Sequence, residues 1–228
     1  MNSDYYKYVS WSIWRKPKRM KPLQLETRHV GPWQMNSYAL ICPNSNQSVL
    51  IDPGGDPEIL QEMLGNSDPV AILLTHTHPD HIGALDEMRQ ALNVPVIGND
   101  GPHEPGGKDV GLDQVLRNGD IFTLGAHQLQ VIYTPGHIGD QICFAIEDDS
   151  RIVVGDTIFD GGPGRTWSAE GFQTTLNTLQ KVVLLWTNDT ICYPGHGISF
   201  RLGDRRAEIE AFLQKDHGDF FGDATWDM

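Results

Sequence analysis

The sequence predicts an α/β protein in which two β-sheets pack together and helices cover the outside. Three observations lead to this fold class. Short apolar segments of strand length recur along the chain, helical patterns separate them, and this arrangement appears once in each half of the chain. The 228 residues are enough for one well-buried domain, or at most a domain with a small appendage.

The first predicted elements are two strands and a helix. "SYALICP" (37–43) and "SVLIDPG" (48–54) are predicted strands, and the polar turn "NSNQ" joins them. "PEILQEMLG" then has the pattern of a helix that Gly65 ends.

The next segment, "PVAILLT" (69–75), is continuously apolar, which is typical of a strand covered on both faces. After residue 81, apolar residues recur at helical spacing and predict a second helix: Ile82, Leu85, Met88 and Leu92. A short strand, "VPVIG" (94–98), and a long loop (99–113) follow. We expect this loop to lie at the mouth of any functional site.

The second half of the chain repeats this order of predicted strands and helices. "DIFTLGAHQLQVIYTPGH" (120–137) predicts one hairpin of strands, and "QICFAIEDDSRIVVGD" (141–156) predicts another. A helix near 170–185 and a last strand in "DTICYPGH" (189–196) complete the pattern.

The charge of the chain is unevenly distributed. The net charge is −13, but residues 1–21 carry +5 and the remainder carries −18. An acidic body argues against a general nucleic-acid binder, although metals in a nuclease site would supply positive charge. A basic, aromatic arm suggests contact with an acidic surface, so we expect a homo-oligomer formed through this arm.

The three cysteines, Cys42, Cys143 and Cys192, lie in or beside apolar segments. They are predicted to be small buried hydrophobic residues of a reducing compartment. No segment resembles a signal peptide, and no apolar run approaches the ~18 residues needed to span a membrane. We therefore expect a cytoplasmic protein that does not interact with membranes.

Potential metal ligands follow the ends of four apolar strands. "VAILLT" ends at His76, "LQVIYTPG" at His137, "SRIVVG" at Asp156 and "TICYPG" at His196. Strand ends in layered α/β proteins bring together functional groups from distant parts of the chain. These four residues and three more from the loop after "VAILLT" predict one site of seven residues: His76, His78, Asp80, His81, His137, Asp156 and His196.

A metal would satisfy all of these groups, which are costly to bury unless hydrogen-bonded or ligated. A catalytic zinc takes about three protein ligands and leaves a position for water, so three histidines suffice for one metal. A second metal can take an aspartate and two histidines, with one carboxylate bridging the pair. Two metals about 3.5–4 Å apart hold a hydroxide and the oxygen it attacks. Pro79 stiffens this loop, which we expect to open a helix.

Four motifs resemble those of the metallo-β-lactamase superfamily. They are H-x-H-x-D-H (76–81), T-P-G-H (134–137), G-D-T (155–157) and Y-P-G-H-G (193–197), in the family's order. The resemblance spans about residues 22–205. It implies an αββα sandwich of two mixed β-sheets with helices on the outer faces and a two-metal site at one edge. We therefore expect an N-terminal arm at 1–21 and a single catalytic domain at 22–228.

The resemblance also implies a division of the ligands and a mechanism. The first metal would be bound by His76, His78 and His137, the second by Asp80, His81 and His196, and Asp156 would bridge them. The implied cofactors are two Zn²⁺ per chain, with Fe or Mn as alternatives in one or both sites. A hydroxide bridging the metals would attack the substrate carbonyl, and Asp80 would orient it and move its proton.

Within the superfamily, "GDTIFDGGPGRT" (155–166) and "CYPGHG" (192–197) are similar to glyoxalase II-like thioesterases, the hydroxyacylglutathione hydrolases. The implied reaction is hydrolysis of a small thioester, lactone or ester. Glyoxalase II grips glutathione with a basic and aromatic C-terminal helical region, whereas here only 32 residues follow His196 and the last of them are acidic. "GHIGDQICF" also replaces the more usual G-H-T-P-G-S. The thiol part of the substrate therefore stays open.

Three other functions remain as alternatives. A mononuclear iron persulfide dioxygenase is favoured by "GPGRT" and disfavoured by "YPGHG". A phosphodiesterase or nuclease of the superfamily is disfavoured by the acidic body. A non-catalytic metal-bound scaffold would be expected to lose ligands, and none is missing here.

Four further side chains carry weaker signals. Arg165 lies in the glycine-rich loop after Asp156, where it either binds a substrate carboxylate or phosphate or ties the loop down through a salt bridge. His103, in the long loop, is expected to be solvated, with contact to the substrate as the alternative, and His127 and His217 are expected at the surface.

Overall fold

The structure, a computed structural model, describes residues 21–228. Within these residues, twelve strands form two mixed sheets of six strands each. The predicted arm at 1–21 lies outside the described residues except for Lys21, so its docking stays a prediction.

The first sheet follows the chain order from one edge to the other. Its strands are β1 (Gln24–Val30), β2 (Met35–Ile41), β3 (Gln47–Ile51), β4 (Asp68–Leu73), β5 (Val96–Gly98) and β6 (Gln114–Val115). β1 to β3 are antiparallel, whereas β3 to β6 run parallel to one another. The carboxyl ends of β3 and β4 therefore lie at the same edge.

The second sheet also follows the chain order. Its strands are β7 (Ile121–Leu124), β8 (His127–Tyr133), β9 (Ile142–Ile146), β10 (Arg151–Gly155), β11 (Ile191–Pro194) and β12 (Phe200–Arg201). β10 and β11 are parallel, and the other neighbours are antiparallel. β8, β10 and β11 therefore point in one direction and end at one edge of the sheet.

Four α-helices lie along the described chain: α1 (Pro57–Leu64), α2 (Leu85–Leu92), α3 (Ala169–Lys181) and α4 (Leu202–Leu213). α1 begins at a proline, whose missing N–H costs nothing in a first turn, and ends at Gly65 with a φ of 56°. α3 begins after Ser168, whose hydroxyl accepts a hydrogen bond from the Gly171 N–H at 3.0 Å.

Three apolar clusters show how the layers pack. The middle cluster lies between the sheets and includes Leu73 of the first sheet and Phe144 of the second. One outer cluster joins the first sheet to α1 and α2, and the other joins the second sheet to α3 and α4. In β4, Leu73 faces the middle cluster and Ile72 the outer one, which explains the continuously apolar segment 69–75. The αββα sandwich is confirmed.

The predicted elements are present with shifted ends, and four elements were not predicted. The helix expected near 170–185 ends at Lys181 and is followed by a short 3-10 turn, Val183–Leu185. β1, β6, β12 and α4 had no counterpart in the sequence analysis. The three cysteines are free and buried, as expected.

None of the helices between residues 21 and 228 combines the length and apolar character that a membrane crossing requires.

Candidate metal centre

The ends of four strands place the predicted ligands at one end of the sandwich. His76 follows β4, His137 follows β8, Asp156 follows β10 directly, and His196 follows β11. Several hydrogen bonds join the sheets here; in two of them the Ile142 N–H donates to the Thr75 carbonyl at 2.8 Å and the Tyr38 hydroxyl donates to the Pro194 carbonyl at 2.5 Å.

The loop after β4 supplies the other three predicted residues: His78, Asp80 and His81. It was expected to open a helix, but α2 begins only at Leu85, so Pro79 lies within the loop rather than at a helix start. The loop is long because it folds three polar side chains inward before the helix begins.

The seven side chains form two groups around a shared carboxylate. In each group, one ligand atom of every member lies within 4.8 Å of the others: the first group is His76, His78 and His137, and the second is Asp80, His81 and His196. Asp156 lies between them. Its Oδ1 is 3.3 Å from His81 Nε2, and its Oδ2 is 3.5 Å from His137 Nε2 and 3.8 Å from His196 Nε2.

Hydrogen bonds inside the protein fix the orientation of these rings. His81 Nδ1 donates to Asp52 Oδ2 at 2.9 Å, and His137 Nδ1 donates to the Arg165 carbonyl at 2.7 Å. His78 Nε2 donates to the Pro105 carbonyl at 2.9 Å. In each ring the other nitrogen faces the centre, where His78 Nδ1 and His137 Nε2 lie 2.8 Å apart. One nitrogen held by the protein and one facing the centre is the arrangement typical of metal-binding histidines.

Three buried polar atoms test whether these residues fit a metal. His76 Nε2, His81 Nε2 and Asp156 Oδ1 have no hydrogen-bond partner among the described residues, although each is removed from solvent. Leaving a buried polar atom unpaired costs about 1–3 kcal/mol. All three point into the same centre, and a divalent cation with nitrogen and oxygen ligands would satisfy them. The donor set fits a metal.

The ionisation states of the first group suit the same role. Burial lowers the pKa of His76 well below its ordinary value and the pKa of His137 to about 4, so both imidazoles are neutral at pH 7. Burial alone would raise the pKa of Asp156, but the neighbouring His81 holds it well below the usual range. Neutral imidazole and ionised carboxylate are the forms that bind metals.

The second group balances charge within itself. Burial opposes protonation of His81, but the Asp156 carboxylate raises its pKa well above the ordinary value. Burial likewise opposes protonation of His196, whose pKa is raised by its hydrogen bond to Asp80. Without a metal, the neighbouring carboxylates thus favour the protonated form of both rings.

Gly195 makes room for the centre. A Cβ atom at this position would lie 2.2 Å from Asp156 Oδ1 and 2.4 Å from His81 Cε1. The adjoining loop is held by Asn36, whose side chain donates to the Pro194 and Gly197 carbonyls at 2.9 Å each. β2 therefore positions His196 across the gap between the sheets.

Asp52 is a residue of this centre that sequence reasoning missed. It follows β3, is buried, and accepts hydrogen bonds from the Thr75 N–H at 2.7 Å and the Thr75 hydroxyl at 2.6 Å, besides the bond from His81. With His76 and His81 it forms a third group of possible ligands. The signal was present, because Asp52 ends an apolar strand in the same way as the predicted ligands.

A second missed feature connects the loop 99–113 to the centre. Asp140 Oδ2 accepts hydrogen bonds from the Thr77 hydroxyl at 2.7 Å and from His103 Nδ1 at 2.9 Å; we call these three residues the Asp140 clasp. Burial raises the pKa of Asp140, and the two hydrogen bonds oppose the rise. Since Thr77 separates His76 from His78, the clasp fastens the loop to the ligand segment. His103 is thus half-buried rather than solvated.

Comparison with known proteins agrees with this geometry. A family model described as the metallo-beta-lactamase superfamily matches residues 30–196. The chain belongs to this superfamily.

Two curated relatives are about one third identical to this superfamily member over the matched residues. A probable metallo-hydrolase, YqgX of Bacillus subtilis, is 33% identical over 186 residues, which cover 74% of this chain and 87% of the relative. A hydroxyacylglutathione hydrolase of Klebsiella pneumoniae is 32% identical over 164 residues, covering 72% of this chain. The match covers 62% of that hydrolase, so less than two thirds of its length is represented here.

Solved structures of the superfamily share the fold. The BLEG-1 B3 metallo-beta-lactamase superimposes with a TM-score of 0.71 at 28% identity, over 81% of this chain and 97% of its own. TTHA1623, solved in a di-iron-bound form, gives a TM-score of 0.68 at 27% identity, over 79% and 96% of the two chains.

A cavity of about 420 Å³ lies beside the metal centre of this superfamily member. It is lined by His137, Asp156, Phe159, Gly161, Gly162, Pro163, Arg165, His196, Asp223, Ala224 and Thr225. Arg165 is thus brought to the site, and its guanidinium also forms a salt bridge with Asp223. Both roles expected of Arg165 are compatible with this placement.

Besides the exposure of His103, two more of the weaker sequence predictions are wrong. His127 is buried rather than exposed, because it begins β8 beneath the turn to β7. His217 is half-buried, since its ring packs 4.3 Å from Phe212 and its Nε2 donates to the Phe212 carbonyl at 2.9 Å.

Proposed function

We propose that this superfamily member is a binuclear metal-dependent hydrolase that cleaves a thioester, with a lactone or simple ester as related substrates. The observation that carries the proposal is the pair of three-residue groups facing each other across Asp156. The similarity to a hydroxyacylglutathione hydrolase supports the reaction type. The proposed partner is a small molecule.

Each group would hold one divalent cation. His76, His78 and His137 form the first site and Asp80, His81 and His196 the second, with the two oxygens of Asp156 directed at both. We propose Zn²⁺ in both, with Fe or Mn as alternatives because TTHA1623 was solved with two irons. Bound cations would polarise the substrate carbonyl and lower the pKa of a water.

Asp80 is the residue proposed to move protons. Its side chain is 22% exposed, and Oδ2 accepts a hydrogen bond from His196 Nε2 at 2.9 Å. Burial would raise the pKa of Asp80, but this bond lowers it, so the group is ionised and able to accept a proton. In hydrolysis, the attacking water gives its hydroxyl to the acyl carbon, the carbon–sulfur bond breaks, and Asp80 passes the water's proton to the departing sulfur.

Arg165 is proposed to orient the substrate. It lines the same cavity as His137, Asp156 and His196, so one small molecule can reach all four residues. Its planar guanidinium suits a carboxylate or a phosphate.

The test is Asp156→Asn, which keeps the shape of the side chain but removes the charge directed at both groups. We expect the fold to persist, occupancy of one metal site to fall and thioester turnover to drop by orders of magnitude. Asp160→Asn is the matched control, because Asp160 pairs with Arg205 outside the centre. A variant at Asp156 with full metal content and a near wild-type rate would exclude the shared role.

One observation favours a second candidate function, a mononuclear iron persulfide dioxygenase. Asp80 and His196 are hydrogen-bonded to each other at 2.9 Å, so this pair is satisfied without a second metal. A single iron would then use His76, His137 and Asp156, a face of two histidines and one carboxylate. The unpaired Nε2 of His81 favours the binuclear proposal, since a single-iron site leaves that atom unused.

A further inference from the structure

Asp223, Ala224 and Thr225 form one wall of the cavity beside the metal centre. They belong to residues 219–228, here called the C-terminal segment. Trp226 anchors it: its Nε1 donates to the Asp160 carbonyl at 2.9 Å, and its ring packs 5.5 Å from Phe212. The Thr166 N–H donates to the Gly222 carbonyl at 3.1 Å. These bonds hold the segment against the loop that carries Arg165.

Arg165 is the one lysine or arginine that lines this cavity in the described chain. Its guanidinium carbon lies 4.8 Å from the centre of the Trp167 ring, over which it stacks. One terminal nitrogen donates to the carboxylate of Asp223. Within residues 21–228, the other guanidinium nitrogens of Arg165 have no hydrogen-bond partner.

The salt bridge between Arg165 and Asp223 can open at little cost in stability. The side chains of Arg165 and Asp223 are 48% and 74% exposed, and exposed ion pairs contribute little to stability. The bonds of Gly222 and Trp226 hold the backbone on either side of Asp223. Releasing the Asp223 carboxylate therefore leaves the C-terminal segment in place.

We propose that Asp223 is a specificity residue that occupies Arg165 until a substrate carboxylate replaces it. The inference rests on the proposed function, and it names the substrate class as thioesters that carry a free carboxylate. Such a substrate has an advantage over Asp223, because its thioester end is held at the neighbouring metal centre while its carboxylate meets the stacked guanidinium. A neutral substrate gains nothing from opening the salt bridge.

The experiment uses two matched pairs of probes with the zinc-loaded protein. 3-Mercaptopropionate and 3-mercaptopropionamide differ only in charge, and calorimetry gives their Kd values. Their S-acetyl thioesters give KM and kcat for the same pair. The variants are Asp223→Asn, Arg165→Gln and the control Asp219→Asn, which removes one charge from the same segment at an exposed side chain that has no contact with Arg165 among the described residues.

We expect the wild type to bind the carboxylate probe more tightly than the amide. Asp223→Asn removes the competitor, so it should lower the Kd of the carboxylate probe about two- to fivefold, the size of one exposed ion pair, and leave the amide unchanged. Arg165→Gln should bring the two Kd values together, and Asp219→Asn should behave as the wild type. KM for the thioesters should follow the same order.

Three results would overturn the inference: equal Kd values for the two probes in the wild type, no binding of either probe, or equal effects of Asp223→Asn and Asp219→Asn. The failure of the proposed function looks different. Charge discrimination in binding without hydrolysis of either thioester would refute the thioesterase and keep the specificity residue. Hydrolysis with the same KM for both thioesters in every variant would keep the thioesterase and refute the specificity residue.

Discussion

At the scale of single residues, the histidines of the metal centre are orientated before any metal binds. His76 Nδ1 lies 3.0 Å from the Thr75 hydroxyl, which itself donates to Asp52, so one carboxylate fixes both His76 and His81. Because these rings are already ordered in the folded protein, metal binding loses less side-chain entropy. Asp52 is therefore the residue outside the seven predicted ligands on which the centre most depends.

This dependence predicts the effect of Asp52→Asn. The amide cannot accept all three hydrogen bonds, from the Thr75 N–H, the Thr75 hydroxyl and His81, because one of its two terminal atoms is a donor. We therefore expect the metal-free protein to lose about 1–3 kcal/mol of unfolding free energy. Affinity for the second metal should fall about 10- to 100-fold, measured by competition with a chelator. Asp68→Asn, at an exposed aspartate that begins β4, is the control. Unchanged affinity for both metals would contradict this role.

Sequence alone could identify the seven predicted site residues because each follows a strand end or lies in the adjoining loop. Asp52 obeys the same rule and was within reach. Asp140 and Asp223 were not, because their partners are distant in sequence: His103 is 37 residues from Asp140, and Arg165 is 58 residues from Asp223. No local pattern indicates such pairs, since they exist only once the loops have packed.

At the scale of elements, strands and helices with a strong apolar pattern were predictable and those without one were not. β10 is nearly all buried and β4 ends in three buried apolar residues, and both strands were recognised. β1 lies at the edge of its sheet with only Val30 fully buried, and α4 buries only Leu202, Ile209 and Phe212 among many charged residues. Packing against the rest of the fold stabilises such elements, and this packing cannot be predicted from the sequence of the segment alone.

The loop 99–113 is the element whose position most affects the centre, and the Asp140 clasp holds it. Asp140→Ala leaves the Thr77 hydroxyl and His103 without their acceptor, so the loop should loosen and with it the Pro105 carbonyl that binds His78. We expect weaker binding of the first metal and faster amide hydrogen exchange in this loop.

Asp100→Ala is the matched control for the clasp, because it breaks an exposed salt bridge between this loop and Arg117, which lies beyond β6. Its effect should stay below about 1 kcal/mol, with metal affinity unchanged. Equal effects of the two variants on metal affinity would show that the clasp does not position the ligands.

At the scale of the whole molecule, charge separates the N-terminal residues from the rest of the chain. Residues 1–21 carry +5 and the remainder −18, so attraction between the two parts is expected at low ionic strength. Deleting residues 1–20 should therefore lower the mass measured by light scattering if these residues join two copies. The same mass and the same melting temperature before and after deletion would contradict such docking.

The proposed function requires that the molecule holds two metals and uses both for hydrolysis. His196→Ala tests it, because His196 belongs to the second group alone, whereas a single-iron site would use His76, His137 and Asp156. His29→Ala, at an exposed histidine of β1, is the control. Metals are counted by mass spectrometry in protein purified without added metal, and thioester cleavage and oxygen uptake are followed in the same samples.

We expect the wild type and the His29 variant to contain about two metals per chain, mostly zinc, and to cleave the thioester without consuming oxygen. The His196 variant should retain about one metal and lose most of this activity, because half of the binuclear site is gone. One iron per chain in the wild type, with oxygen uptake on a persulfide substrate, would contradict the account.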